Sequence, residues 1–178
     1  MITLTPTPVL DTDRLTLRAP QGSDWPHWRS FHQSDRARYI GGGPDLAPGT
    51  SWRAFGHVIG HWAMRGFGMF VFTLKGDDTP LGLTGPWFPD GWPEQELGWT
   101  VWTAGAEGRG LVSEAARAAR LHAFTTLGWT TAVSYIDPGN ARSIALAERL
   151  GATLDTGAAQ PKWDKPCLVY RHPAEVTP

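Results

Sequence analysis

Glu107-Gly108-Arg109-Gly110-Leu111-Val112-Ser113-Glu114-Ala115 is the stretch on which the reading of this sequence turns. Two glycines let the backbone approach a ligand closely. The residues after them open a helix, whose first turn carries N–H groups without partners and the positive end of the dipole. That combination suits a diphosphate. The segment lacks the Gly-Lys-Ser/Thr ending of a P-loop, and it lacks the third glycine and later ribose-binding acid of a dinucleotide fingerprint. Glycine-rich turns also precede helices with no ligand at all, so the rest of the chain has to decide.

Upstream, Asp13-Arg14-Leu15-Thr16-Leu17-Arg18 alternates polar and apolar residues, the period of a half-buried strand. Ser23-Asp24-Trp25-Pro26 reads as a helix start with a short polar cap and an early proline, carrying Trp28 and Phe31 inward. After the break at Gly41-Gly42-Gly43-Pro44, Thr50 is placed to cap a second helix reaching about Met64. On it Trp52, Phe55, Ile59 and Trp62 form one apolar stripe. Phe67–Lys75, Pro80–Pro86 and Glu94–Trp102 follow as strands of an antiparallel meander, divided by Gly76-Asp77-Asp78 and Pro89-Asp90-Gly91. Downstream, the helix from the glycine-rich turn ends near Leu127-Gly128. Thr130–Ile136 is a strand, and Asp137-Pro138-Gly139-Asn140 turns into a helix that stops at Leu150-Gly151. Ala152–Asp155 and Cys167–His172 supply final strands. This order predicts one α/β (α+β) domain over residues 1–178, with a mixed, mainly antiparallel central sheet and helices on both faces.

Composition narrows the function classes. Hydrophobic residues make up 41% and charged residues 19%, which excludes wholesale disorder and coiled coil. Sixteen Lys and Arg against seventeen Asp and Glu give a formal charge of -1, so neither nucleic acid nor an anionic membrane is an expected partner. The N-terminus reads as no secretory signal, and no run approaches the roughly 18 apolar residues of a membrane span. One cysteine, Cys167, permits no internal disulfide, which fits a reducing cytoplasm; in Pro166-Cys167-Leu168-Val169-Tyr170 it reads as a small buried hydrophobe. His57 and His61 lie four apart on one helical face. Val58 between them is not the glutamate of a zinc hydrolase and no third ligand is near, so a packed or solvated pair and no metal are expected. Ten tryptophans are the one compositional outlier.

In Glu96-Leu97-Gly98-Trp99-Thr100-Val101-Trp102, alternation puts Glu96, Gly98, Thr100 and Trp102 on one face and Leu97, Trp99 and Val101 on the other. With Asp13–Arg18, Pro80–Leu83, Gly108–Ala115, Asn140-Ala141-Arg142-Ser143-Ile144-Ala145 and Glu148–Ala152, this segment resembles the GNAT superfamily of acyl-CoA-dependent N-acetyltransferases. Within it, the branch containing ribosomal-protein N-terminal acetyltransferases is the most similar. The resemblance spans most of the chain and implies acetyl-CoA as co-substrate, with no metal. It implies that Gly108, Arg109, Gly110, Val112 and Ser113 hold the diphosphate. Backbone groups at Val101 and Trp102 would pair with the pantetheine arm like an added strand, and Asn140 and Ser143 would lie along that arm. Glu96 matches a carboxylate used as general base toward an incoming ammonium, and Ser143 is placed to protonate the departing thiolate. Each has a plainer reading: Glu96 as a solvated strand-end charge, Asn140 as a helix cap, Ser143 as a first-turn hydrogen bond.

Two positions depart from the family's diphosphate loop. Glu107 puts a carboxylate where an anion should bind, unfavourable unless it points to solvent, and Val112 adds bulk. The helix tyrosine that many relatives use as acid has no counterpart between Ile136 and Cys167. The implied function is acetyl transfer to a primary amine, on a small molecule or a protein N-terminus, by direct attack on the thioester. The rivals are a catalytically silent CoA-binding or protein-interaction module, and an enzyme for longer or aromatic acyl groups. Trp52, Trp87 and Trp99 are expected to line an aromatic acceptor pocket; other tryptophans would serve the core or a homodimer interface.

Overall fold

The structure is a computed structural model that describes residues 4–162 and 166–174. Its strands are β1 (Leu10–Asp11), β2 (Leu15–Arg18), β3 (Phe70–Leu74), β4 (Gly82–Trp87), β5 (Glu96–Val101), β6 (Ala132–Ile136), β7 (Thr153–Leu154) and β8 (Leu168–His172). Four helices interleave with them: α1 (Trp25–His32), α2 (Pro48–Arg65), α3 (Leu111–Thr125) and α4 (Ala141–Arg149). The strands form one sheet in the order β1-β2-β3-β4-β5-β6-β8-β7. Every neighbouring pair is antiparallel except β5 and β6, which are parallel and share a single register position, Glu96 opposite Val133.

The two faces of the sheet are covered by different helices. Val71 and Leu83 point toward Trp28, Phe31, Phe55 and Val58 of α1 and α2. Phe70 and Phe72 point the other way, packing with Leu15, Leu17 and the alanine face of α3 at Ala115 and Ala119. β3 therefore buries both faces, which is why Phe-Val-Phe is an unbroken apolar run rather than an alternation. Alanines on α3 let that helix lie close to the sheet. At Gly82 the sheet itself leaves no room for a side chain, because a Cβ there would fall on the Thr100 carbonyl oxygen and the Phe72 ring.

Several sequence-based expectations are corrected. α2 begins at Pro48 rather than after Thr50; the extended Ala47 precedes it, and proline occupies a first-turn position where no N–H is needed. The Asp24 side chain does not cap α1. Both its oxygens bind the Arg18 guanidinium, at 2.8 and 2.9 Å, because a two-pronged charged pair outweighs a single cap bond. β1 and a 3-10 segment over Asp35–Ile40 were not legible. That segment, the strap below, joins α1 to the glycine break at Gly41. At the far edge, the Arg171 guanidinium binds Glu94 through two nitrogens, at 2.8 and 2.9 Å, and Asp155 at 2.7 Å. It ties β8 to the residues flanking β5 and β7.

Four histidines are buried as neutral rings. His32, His61 and His122 are held below the usual imidazole range by burial, and His172 is driven down to about 3 by burial and the nearby Arg120 charge. The unfolded chain binds protons at these sites below about pH 6.5 while the native state does not, so stability falls as pH drops through that value. Glu96, whose carboxyl is raised, works in the opposite sense between pH 4.5 and about 7, one site against four. We expect the thermal midpoint to decrease from pH 7 to pH 5, less steeply in His172→Gln. A midpoint that holds or rises over that range would show that these rings do not stay neutral in the native state.

Candidate active site

β5 and β6 run side by side only at their N-terminal ends. The Val133 N–H donates to the Gln95 carbonyl at 2.9 Å, and the Ser134 hydroxyl donates to the Leu97 carbonyl at 2.6 Å. Beyond Leu97 no further β5–β6 register follows, so the strands part, and a cavity of about 760 Å³ opens beside their divergent ends. Trp102 donates its N–H to the Leu81 carbonyl at 2.8 Å. By the alternation of an antiparallel ladder, the even residues of β5 therefore bond to β4, and Trp99 and Val101 turn their backbone groups toward the opening. This corrects one expectation. Trp102 offers no N–H there and its ring is buried with α1 and α2, so Trp99 and Val101 are the strand residues that can pair with an extended ligand.

Glu96 lines the cavity next to Gly98, where a Cβ would collide with the Met69 methyl. Burial pushes its carboxyl up to about 7, although the Trp92 indole N–H, 2.6 Å from Oε2, and the Tyr135 backbone both favour the charged form. It is thus no solvated strand-end charge. A carboxyl poised near neutrality can take a proton and give it back at ordinary pH. Glu94 has a different fate, spent on the Arg171 pair. Cys167 also lines the cavity, and burial together with the Glu96 charge raises its thiol, which keeps it protonated and a poor nucleophile.

Asn140 and Ser143 stand on the far side of the opening. The Asn140 side chain caps α4 by accepting from the Ser143 N–H at 3.2 Å. The Trp99 indole donates to the Ser143 hydroxyl oxygen at 3.2 Å, leaving the hydroxyl proton free to point elsewhere. Trp99 and Trp87 line the cavity as expected, joined by Trp28, Trp92 and Tyr39. Trp52 does not; it is 60% exposed and packs edge-on against Trp25 on the outer face of α2. Trp87 is fixed by stacking on His61, 4.4 Å between ring centres. Both His61 nitrogens are committed, Nδ1 to the Phe67 carbonyl and Nε2 to the Phe88 N–H. The His57–His61 pair is therefore an aromatic support. Among the described residues no group of three or more His, Cys, Asp or Glu could hold a metal ion.

The turn before α3 is built of two left-handed glycines, Gly108 at φ 70° and Gly110 at φ 73°. No side chain caps α3, and its first backbone bond runs from the Glu114 N–H to the Gly110 carbonyl, so the N–H groups of Leu111, Val112 and Ser113 precede the ladder. Val112 directs its bulk into the core beside α3 and α4, leaving the turn clear. The buried Ser113 hydroxyl has no hydrogen-bond partner among the described residues. Such a concavity of backbone donors fits an anion. Arg109 is exposed; its guanidinium contacts the Gly105 carbonyl at 3.4 Å, and its own carbonyl accepts from Arg14 Nη1 at 3.1 Å. The Glu107 carboxylate is offset here by ion pairing rather than by pointing into solvent. It lies between Arg36 of the strap at 2.7 Å and Arg142 of α4 at 2.8 Å. Neither arginine carried any sequence signal, since each acts on a residue from a distant segment; Trp92 lies only four residues before Glu96, but the turn between them has no period that would show its indole facing the carboxylate.

A family model described as an acetyltransferase (GNAT) domain matches residues 14–153. The crystal structure of an acetyltransferase from Agrobacterium tumefaciens strain C58 is 40% identical, covering 97% of this chain and 98% of its own, with a TM-score of 0.85. A GNAT-family acetyltransferase from Bordetella pertussis is 27% identical over 93% of this chain and 99% of its own, at a TM-score of 0.76. The ribosomal L7/L12 α-N-protein acetyltransferase in its coenzyme A complex shares the fold at 17% identity, covering 93% and 97% with a TM-score of 0.69.

The environment of Glu96 makes a direct prediction. Carbon-13 NMR of the labelled carboxyl should show a titration midpoint near pH 7, and Trp92→Phe, which removes a donor to the charged form, should move it upward. A midpoint near 4.5 would mean that water reaches the carboxylate freely.

Proposed function

The chain belongs to the GNAT acetyltransferases, and on that premise we propose that it acetylates a primary amine carrying an apolar or aromatic body, by direct attack on the thioester of acetyl-CoA. The observation that carries this reading is the enclosed Glu96 carboxyl, raised to about 7 in a cavity whose other wall holds Asn140 and Ser143. A family that uses acetyl-CoA, backbone donors at the Gly108–Gly110 turn, and the outward backbone of Trp99 and Val101 support the cofactor's place.

Acetyl-CoA supplies the acyl group as an activated thioester. Glu96 accepts a proton from the incoming ammonium, which makes the nitrogen lone pair available. The Trp92 N–H and the Tyr135 backbone fix the carboxylate's orientation while it does so. As the C–N bond forms and the C–S bond breaks, the Ser143 hydroxyl, held in place by Trp99 and Asn140, can pass its proton to the departing sulfur and take in its place the second proton that the acylated nitrogen sheds. No nucleophilic side chain is required, in keeping with the protonated Cys167 thiol. A silent binding module would have no use for a carboxyl raised at the expense of burial, and that observation favours the enzyme.

The acceptor's character follows from the cavity wall. Trp28, Trp87, Trp92 and Trp99 offer flat apolar surface, and Arg38 and Lys162 offset the carboxylates of Glu96 and Asp137. A polycation gains little there. A panel of amines assayed by thiol release should give a higher kcat/KM for aromatic amines or peptides with an aromatic N-terminal residue than for spermine or an aminoglycoside. The reverse ranking would assign the rings to packing alone. With a working acceptor, Glu96→Gln should lower kcat about 100-fold with cofactor affinity kept, and Glu94→Gln should leave kcat within about twofold. Equal loss in both would show that Glu96 has no special role.

A further inference from the structure

Glu107 is the residue before the left-handed Gly108, at the entrance to a turn whose backbone suits an anion. Its carboxylate is held from two sides by charges that come from distant segments. Arg36 arrives from the strap, and Arg142 from the first turn of α4. The three meet just beyond the C-terminal ends of β5 and β6, where the strands have parted. The pair of bridges therefore spans the opening, with β5 and its following loop on one side and α4 on the other.

The cluster is unevenly satisfied. Arg36 Nη2 donates to Glu107 at 2.7 Å and to the Val101 carbonyl at 3.2 Å, while its Nε is buried without a partner among the described residues. Arg142 is 83% exposed at its side chain, and its bond to Glu107 is a rim pair of the kind that contributes little to stability. Two guanidiniums share one carboxylate, so the cluster carries a net positive charge. Arg109 adds another within the same turn. A doubly charged anion with several oxygens satisfies such a cluster better than one carboxylate does.

We propose that Glu107 is an internal competitor for the diphosphate site, holding Arg36 and Arg142 across the opening until the cofactor's phosphates displace its carboxylate and take over both arginines. The inference rests on the assignment of acetyl-CoA to this opening. Its sign is what distinguishes it from a plain structural clasp. A clasp that shapes the turn loses cofactor affinity when it is broken. A competitor, when neutralised, gains affinity, because the phosphates no longer have to expel a like charge. Arg36 also touches the Val101 carbonyl, so the exchange would free that edge of β5 at the same moment.

Calorimetric titration of coenzyme A and of inorganic diphosphate into the wild type, Glu107→Gln, Arg142→Met and the double variant tests this. Glu107→Gln should bind both probes about tenfold more tightly than the wild type, Arg142→Met should bind more weakly, and the double variant should lose most of the gain. Thermal midpoints without ligand control for folding, and Glu107→Asp, which keeps the charge, should stay near wild-type affinity. Unchanged or weaker binding in Glu107→Gln overturns the competitor role while leaving the cofactor assignment intact. Absence of coenzyme A binding to the wild type at millimolar concentration would instead sink the cofactor assignment, and this inference with it.

Discussion

Glu96 opposite Val133 is the single register shared by the two parallel strands, and what lies beyond that point depends on their parting. A strand that loses its neighbour exposes backbone donors and acceptors that must find partners elsewhere. The Ser134 hydroxyl closes the last stitch to Leu97, and His172 supports it through a 2.9 Å contact to the same oxygen. Past it, the outward groups of Trp99 and Val101 face a gap. The gap separates α3, whose N-terminus carries bare N–H groups, from α4, capped by Asn140. One ended ladder thus creates an open strand edge, the cavity beside it, and the wall between them.

Charge is arranged around this gap in two regimes. Deep inside, groups are kept near neutrality: four histidines are pushed toward the uncharged ring, Cys167 stays a thiol, and the Glu96 carboxyl is raised to the middle of the physiological range. At the rim, full charges meet in ion pairs, Arg14 with Glu114 and two arginines, Arg36 and Arg142, with the one carboxylate of Glu107. The first regime makes a proton easy to move, because neither form of Glu96 is strongly favoured. The second holds the guanidiniums of Arg36 and Arg142 at the opening through partly exposed pairs. The strap belongs to both: Arg36 reaches the rim, and the Tyr39 hydroxyl donates to the Gly139 carbonyl at 2.9 Å, tying the strap to the turn before α4.

Tryptophan serves three separate ends. Trp28, Trp62, Trp102 and Trp129 are at most 6% exposed and fill the core, Trp28 also bordering the cavity. Trp87, Trp92 and Trp99 turn a face or an edge to the cavity, and two of them use the indole N–H on site residues, Trp92 on Glu96 and Trp99 on Ser143. Trp25 and Trp52 form an edge-on pair at the outer surface of α1 and α2, and Trp163 lies outside the described residues. A ring with one polar atom can line an apolar cavity while fixing a polar group in it.

The sequence by itself determined the elements and their order. Strong periodicity marked β2 and the apolar stripe of α2, glycine marked the start of α3 and the end of α4, and Asn140 marked the start of α4, because caps and faces are set by residues within a turn or two. Glu96, Asn140 and Ser143 were singled out because the segments that carry them keep a family pattern, and the fold brings all three to one cavity. What only the tertiary structure decided were pairings between segments far apart in the chain. Arg36 and Glu107 are 71 residues apart, and Trp99 and Ser143 are 44 apart. The same holds for the strap, whose two turns of 3-10 helix are too short to show a period, and for Trp52, which shares the periodicity of α2 yet falls on its outer face. The protonation of Glu96 was equally out of reach, since a carboxyl's pKa depends on the water excluded around it and the donors aimed at it. Local rules fix where a side chain begins; the packing of the whole sheet and its helices fixes what it meets.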